Sequence, residues 1–171
     1  NQSGNASYSS AQQVTATVVI QKNPQTITIN PIGDTTFGAG QFIVTATASS
    51  GLTVDFTSAT PTICTTSSTN GKLIMILAVG ACTLNANQIG DVNFNAAPQA
   101  SATFNVLKAS QTISFAPLLD HVLGDPAFTL AAAASSGLAV VFTSSTASVC
   151  SVTSNIVSIV SMGTCTIVAG Q

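Results

Sequence analysis

The sequence predicts an all-β fold built from antiparallel β-sandwiches in tandem. Three observations lead to this prediction: a low content of charged residues, an internal repeat of about 86 residues, and short segments in which apolar and polar residues alternate. The length of 171 residues allows one large domain or two small ones. The internal repeat therefore decides how the chain is divided.

Charged residues make up only 5% of the chain, against roughly 25% in an average soluble domain. The three basic residues are all Lys and the five acidic residues are all Asp, which gives a formal net charge of −2. Such a chain offers no basic face for nucleic acid. Because so uncharged a surface is poorly soluble on its own, we expect either an ordinary secreted β-protein or one whose surface is covered by neighbouring units or glycans.

Hydropathy predicts no membrane span. The longest apolar run, Leu73 to Val79, is far shorter than the ~20 residues that cross a bilayer as a helix. The first ten residues are polar and do not resemble a signal peptide, so we expect any export signal to lie outside this sequence.

The chain contains the same segments twice in one register. Matching segments lie 86 residues apart up to the first cysteine of each copy and 83 residues apart near the second cysteine, because the second copy is three residues shorter there. The matches include Gln25–Ile27 with Gln111–Ile113, Ala48–Leu52 with Ala134–Leu138, Cys64 with Cys150, and Cys82 with Cys165. So many matches in one register indicate a tandem repeat.

The start of the chain falls into the same register. Residues 10–22 follow residues 96–108, and each stretch ends in a Lys shortly before a Gln-Thr-Ile segment. Residues 1–22 are therefore predicted to be the last strand of a split repeat, with the loop before it. Residues 23–108 are predicted to form a complete immunoglobulin-like repeat, and residues 109–171 a repeat that lacks its last strand.

The complete repeat has the strand pattern of an immunoglobulin-like sandwich. Its strand signals are short, β-branched and alternating, and Gly-containing turns separate several of them. The predicted strands are Gln25–Asn30, Gln41–Ala48, Leu52–Thr57, Thr62–Thr66, Lys72–Ala78, Ala81–Asn87 and Ala100–Leu107. Seven strands in fewer than 90 residues favour this fold, and the absence of Trp argues only against an antibody-type domain.

The motifs of the repeat carry a family resemblance. They are Gln-Thr-Ile, Ala-Ser-Ser-Gly-Leu, Val-x-Phe-Thr-Ser, a single Cys, and Gly-x-Cys-Thr followed by Leu or Ile. This pattern resembles the bacterial Ig-like repeats that occur in tandem in very large surface and secreted proteins. The resemblance implies a component of a stalk, adhesin or extracellular filament, and it implies neither one ligand nor one reaction.

Each copy of the repeat contains two cysteines. Closely spaced Cys pairs, which are typical of zinc sites, do not occur. Both cysteines of a copy lie at strand starts around one hairpin, so the economical pairing is Cys64–Cys82 and Cys150–Cys165, each worth ~3 kcal/mol in the chain-entropy model. Disulfides persist in oxidising compartments, which predicts an extracellular or cell-surface protein. Buried reduced thiols are the alternative.

The remaining polar residues do not suggest an enzyme. His121 is the only histidine and has no partner in a nucleophile motif, and a lone histidine in a loop is usually solvated. We expect no cofactor. Calcium at Gly33-Asp34 or Gly124-Asp125 is an alternative, although the predicted linkers carry no carboxylate.

Two modifications would make an uncharged surface more soluble. Asn5-Ala6-Ser7 is an N-glycosylation sequon, which makes Asn5 a candidate glycosylation site. Outer strand faces rich in Ser and Thr are candidates for O-linked sugars.

The split repeat suggests that the chain assembles with copies of itself. Residues 12–22 are a spare copy of the strand that residues 109–171 lack, and their alternating apolar residues are Val14, Ala16, Val18 and Ile20. One hypothesis is donor-strand exchange between separate subunits, which gives a head-to-tail filament. The other, which we favour, is a continuous polypeptide in which the next copy follows. An adhesin module that binds host or matrix ligands through its loops is the alternative function.

Overall fold

The structure is a computed structural model that describes residues 3–171. Its regular structure is β apart from one short 3-10 turn at Thr69–Gly71, which confirms the predicted all-β class. The chain divides into two compact units, of which the first ends at Lys108 and the second spans Ala109–Gln171. Asn1 and Gln2, which begin the predicted split-repeat tail, lie outside the described residues. In residues 3–171 no helix is long and apolar enough to cross a membrane.

Unit 1 contains nine strands in its described residues. They are β1 (Ile27–Ile29), β2 (Thr35–Thr36), β3 (Phe42–Ile43), β4 (Ala46–Ala48), β5 (Asp55–Ser58), β6 (Cys64–Ser67), β7 (Leu73–Ile76), β8 (Gly80–Asn87) and β9 (Ala100–Leu107). The largest sheet has the order β2-β9-β8-β5, and in it only β2 and β9 run parallel. The other sheets have the orders β3-β7-β6 and β1-β4.

Two differences from the predicted strands have a physical cause. The predicted strand Gln41–Ala48 is interrupted at Val44 and Thr45, where it changes partner: the Val44 amide donates to the Lys72 carbonyl at 2.9 Å, while the Thr45 carbonyl accepts from Asn30 at 3.0 Å. Strand β2 was not predicted, because two Thr residues between glycines show no alternation. It forms because its backbone pairs with the end of β9.

The core of unit 1 depends on the alternation of β9. Phe104 and Val106 are buried, whereas Asn105 between them is exposed. The Phe104 ring meets the Phe42 ring edge-on, with 5.5 Å between centroids. Alternate residues of a strand point to opposite faces, so β9 adds a row of apolar side chains to the core.

Unit 2 contains seven strands. They are β10 (Ile113–Phe115), β11 (Phe128–Thr129), β12 (Ala132–Ala134), β13 (Val141–Ser144), β14 (Cys150–Thr153), β15 (Ile156–Ile159) and β16 (Ile167–Gly170). The sheets are β10-β12, β11-β15-β14 and β13-β16. Their pairs keep the registers of unit 1: Phe142 faces Ala169 as Phe56 faces Ala86. Strands corresponding to β2 and β9 are absent from the described residues of unit 2.

The core of unit 2 is correspondingly smaller. Its fully buried apolar residues are Leu130, Cys150 and Val157. Phe142 is only partly buried, although its counterpart in unit 1, Phe56, is 3% exposed. The same residue type at the same sheet position therefore removes less apolar surface from water in unit 2.

We expect Phe56→Ala to lower the free energy of unfolding of unit 1 by roughly 3–5 kcal/mol, as buried Phe→Ala changes do. The matched change Phe142→Ala should cost unit 2 clearly less, because part of that ring is already in contact with water. Urea unfolding of each variant, followed by amide exchange resolved for the two units, measures both losses. Equal losses at the two positions would contradict the difference in burial.

Candidate functional site

The candidate site is the unpaired edge of β16. In unit 1 the corresponding strand β8 is central: β5 pairs with one edge and β9 with the other. In the described residues, β16 pairs only with β13. β8 is eight residues long and β16 four. The four residues by which β8 is longer are Gly80–Thr83, which pair with β9 but not with β5. Their counterparts, residues 163–166, therefore lack the backbone hydrogen bonds that β9 provides in unit 1.

Side chains along this edge are less buried than their counterparts. Cys82 and Leu84 of β8 are 0% exposed. Cys165, the counterpart of Cys82, is exposed, and Ile167, the counterpart of Leu84, is only partly buried. The missing strand therefore opens the core of unit 2 as well as the sheet edge.

A groove with a cavity volume of about 540 Å³ lies along this opening. The loop of residues 118–123 lines one part of it, and Phe128 and Val157 line another. The Cys150–Cys165 disulfide and Met162 also contribute to the lining. Most residues that line the groove are of apolar types, and they include Phe128 and Cys165, whose counterparts in unit 1 contact β9.

His121 occupies part of this groove. Its ring stacks on the Phe128 ring, with 4.1 Å between centroids and 10° between planes. Its Nδ1 atom lies 3.3 Å from Asp125 Oδ2, which also accepts a 3.0 Å hydrogen bond from the Val122 amide. The sequence predicts a solvated loop histidine, and His121 is exposed; its contact with Phe128 is not predicted. The only signal in the sequence is the alignment of the two copies, in which His121 matches Thr35.

The predicted assembly strand carries its apolar side chains in solvent. Val14 and Ile20 are each 91% exposed, Val18 is 85% exposed, and Ala16 is also exposed. No regular strand is assigned to residues 9–22. At the matching positions of β9, Phe104 and Val106 are buried. An unpaired strand edge and an exposed segment with the sequence pattern of its missing partner are thus both present in the chain.

Residues 5–8, which precede this segment, form the same turn as residues 91–94, which precede β9. Asn5 Oδ1 accepts hydrogen bonds from the Ser7 and Tyr8 amides at 2.9 and 3.0 Å. Asp91 Oδ1, at the matching position, accepts equivalent bonds from Asn93 and Phe94, both at 2.8 Å. An Asn or Asp side chain stabilises such a turn locally. Asn5, the candidate glycosylation site, is exposed within it.

The four cysteines form two disulfides. Cys64 is joined to Cys82 with 5.8 Å between Cα atoms, and Cys150 is joined to Cys165 with 5.6 Å. In unit 1 the bond connects β6 to β8, which belong to different sheets. Two such bonds indicate an oxidising compartment of the extracellular type.

The carboxylates considered for calcium are engaged with the backbone. Asp34 Oδ1 accepts a 2.7 Å hydrogen bond from the Asn105 amide of β9, and Asp125 Oδ2 accepts the bond from Val122. Within residues 3–171 no three His, Cys, Asp or Glu side chains form a group that could hold a metal ion.

No protein-family model matches the sequence, and no curated protein matches it significantly.

The exposure of Cys165 predicts the order in which the disulfides are reduced. In the native chain, a mild thiol reductant should open Cys150–Cys165 well before Cys64–Cys82, because a thiolate can reach only an accessible sulfur. Timed alkylation followed by peptide mapping measures both rates. In urea the two rates should become similar, which is the control. Faster native reduction of Cys64–Cys82 would contradict the burial described above.

Proposed function

We propose that the chain is a structural repeat unit of an extracellular filament, stalk or surface fibre, in which residues 1–22 of one copy complete unit 2 of its neighbour. One observation carries the proposal: the strand missing beside β16 has its sequence counterpart in residues 10–22, whose apolar side chains are exposed. The role is mechanical and requires no catalytic group.

The strand order of unit 1 supports an immunoglobulin-like sandwich as the repeating fold. The hydrogen bonds at Val44 and Thr45 link β1-β4 to β3-β7-β6, which gives one sheet opposite β2-β9-β8-β5. A disulfide spans the two sheets. This arrangement agrees with the resemblance to bacterial Ig-like repeats and suits a module that is stable under load.

The energetics favour completion of unit 2. A strand added to β16 supplies partners for unpaired backbone groups, as in β-strand addition. Transfer of Val14, Val18 and Ile20 from water into the core stabilises the assembly by roughly 1.5–3 kcal/mol per side chain. The two complementary surfaces lie on different parts of the chain, so the contact is heterologous and repeats without closing on itself unless the rotation permits a ring.

The low charge of the chain fits the same role. With only 5% charged residues, a free unit has little electrostatic repulsion to keep it apart from other copies. In a fibre, contacts between neighbours and attached glycans cover part of that surface.

Two covalent arrangements satisfy the proposal. The neighbouring copies are either separate subunits joined by donor-strand exchange or successive segments of one polypeptide. Boiling natural fibres in denaturant with reductant distinguishes them by electrophoresis. Separate subunits give a band of the size of one subunit, whereas a continuous polypeptide gives a very large band.

A pair of adjacent substitutions tests the assembly strand. Val18 matches the buried Phe104, whereas Val19 matches the exposed Asn105. Val18→Asp should reduce the polymerised fraction of the 171-residue chain at least about tenfold, because an unpaired carboxylate in the completed core costs several kcal/mol. Val19→Asp should leave assembly near wild type.

Light scattering after size exclusion, together with electron microscopy, measures the polymerised fraction of both variants. The wild-type chain is expected to form head-to-tail polymers at high concentration. Equal effects of the two substitutions, or a wild-type chain that stays monomeric at every concentration, would show that residues 12–22 do not complete unit 2.

A further inference from the structure

The register of the donated strand follows from that of unit 1. Strands β13 and β16 pair as β5 and β8 do, so β16 presents its free edge in the same phase as β8. On β8, Cys82 faces Phe104 and Thr83 faces Thr103. Transfer of these pairs to the matching positions places Val18 opposite Cys165 and Thr17 opposite Thr166.

Two features fix this register: the alternation of side chains along the strand, and the turn that precedes it. A slip by one residue would turn Val18 away from the core, since side chains alternate between faces. The turn before β9 is tied to the first residues of the complete repeat: the Asn23 amide donates to Asn93 at 2.8 Å, and the Asn95 amide donates to Asn23 at 2.9 Å. The turn at Asn5 has the same form, and Ala109 stands at the position of Asn23, so the same two bonds would resist a slip by two residues.

The donated strand differs most in side-chain size from β9 at the position of Phe104. β9 places Phe104 against Phe42. The donated strand has Val18 at that position, so it brings no ring to Phe128, the counterpart of Phe42. In unit 2 another ring already packs on Phe128, because His121 stacks on it with 4.1 Å between centroids. In unit 1 the position of His121 is occupied by the smaller Thr35.

We infer that His121 and Val18 of the neighbouring copy form a complementary pair that selects the donated strand. His121 supplies the ring that packs on Phe128, and Val18 is small enough to enter beside it. A strand with Phe at this position, such as β9, would compete with His121 for the face of Phe128. Specificity of this kind combines a favourable contact with a clash against the wrong strand. The inference rests on the proposed function and names the residues that determine which strand fits.

The register is tested first with pairs of introduced cysteines in the full chain. Thr17→Cys with Thr166→Cys, and Thr15→Cys with Val168→Cys, place cysteines directly opposite in the inferred register. Thr15→Cys with Thr166→Cys is the matched control, displaced by two residues to a diagonal distance of about 7–8 Å. Under mild oxidation the first two pairs should give interchain ladders on non-reducing gels and the control should give several-fold less. A reversed pattern, or cross-links only within one chain, would overturn the inference.

A double-mutant cycle tests the complementary pair. His121→Thr should weaken self-association of the full chain roughly tenfold, because it removes an aromatic contact and leaves a void. Val18→Phe should weaken it at least as much by overfilling the groove. The double variant has the residue types of unit 1 at both positions and should recover association to within about threefold of wild type. Sedimentation equilibrium gives the four association constants.

A further variant separates the ring from its hydrogen bond. His121→Phe keeps an aromatic ring and loses the contact with Asp125, so association near wild type supports the inferred role of the ring. A loss as large as that of His121→Thr would overturn it. If Val18→Asp abolishes assembly while the double variant is no better than Val18→Phe, the complementary pair is wrong and the proposed function stands. A wild-type chain that never associates contradicts both.

Discussion

The pairing of β9 with β8 is the contact on which the folded repeat depends. In unit 1 it makes β8 a central strand, brings Phe104 and Val106 into the core and gives β2 a parallel partner. Three consequences therefore follow from one strand: a longer β8, a closed core and an ordered edge. Unit 2 differs in each of these respects, with a shorter β16, an exposed Cys165 and no counterpart of β2 in its described residues.

The local structure of unit 2 does not depend on that strand. Thr146 Oγ1 accepts a 2.8 Å bond from the Thr166 amide, as Thr60 Oγ1 accepts a 3.0 Å bond from Thr83. The hairpin around each disulfide is thus built from the same contacts in both units. An acceptor that is already in register loses less conformational entropy when a strand binds, which favours affinity.

Much of the fold can be predicted from the sequence, because the two copies of the repeat can be compared with each other. Matching residues 10–22 to residues 96–108 predicts which side chains alternate toward a core, and Phe104 and Val106 of β9 follow that alternation. What could not be predicted depends on how segments pack against one another in three dimensions. The break at Val44 arises because one segment pairs first with one strand and then with another. The contact of His121 with Phe128 arises because the groove beside Phe128 is open. Neither residue type nor spacing signals such contacts.

The hydrogen bonds of a buried glutamine in unit 1 also depend on the segment that leads into β9. In unit 1 the buried Gln25 donates through Nε2 to Gln88 Oε1 and to the Asn95 carbonyl, both at 2.6 Å. The Oε1 atom of Gln25 accepts a hydrogen bond from the Ser50 hydroxyl. Asn95 belongs to the segment that leads into β9, so this segment satisfies a buried amide as well as filling the core.

Unit 2 retains one half of this arrangement. Gln171 Nε2 reaches the Ala139 carbonyl at 3.4 Å, as Gln88 reaches Thr53 at 3.5 Å. Gln111, the counterpart of Gln25, is exposed. On the proposed assembly, the acceptor that matches Asn95 is the carbonyl of Ser9 in the neighbouring copy. The segment that closes the groove then also supplies the hydrogen bond that lets Gln111 be buried, so completion of the core and satisfaction of this buried amide occur together.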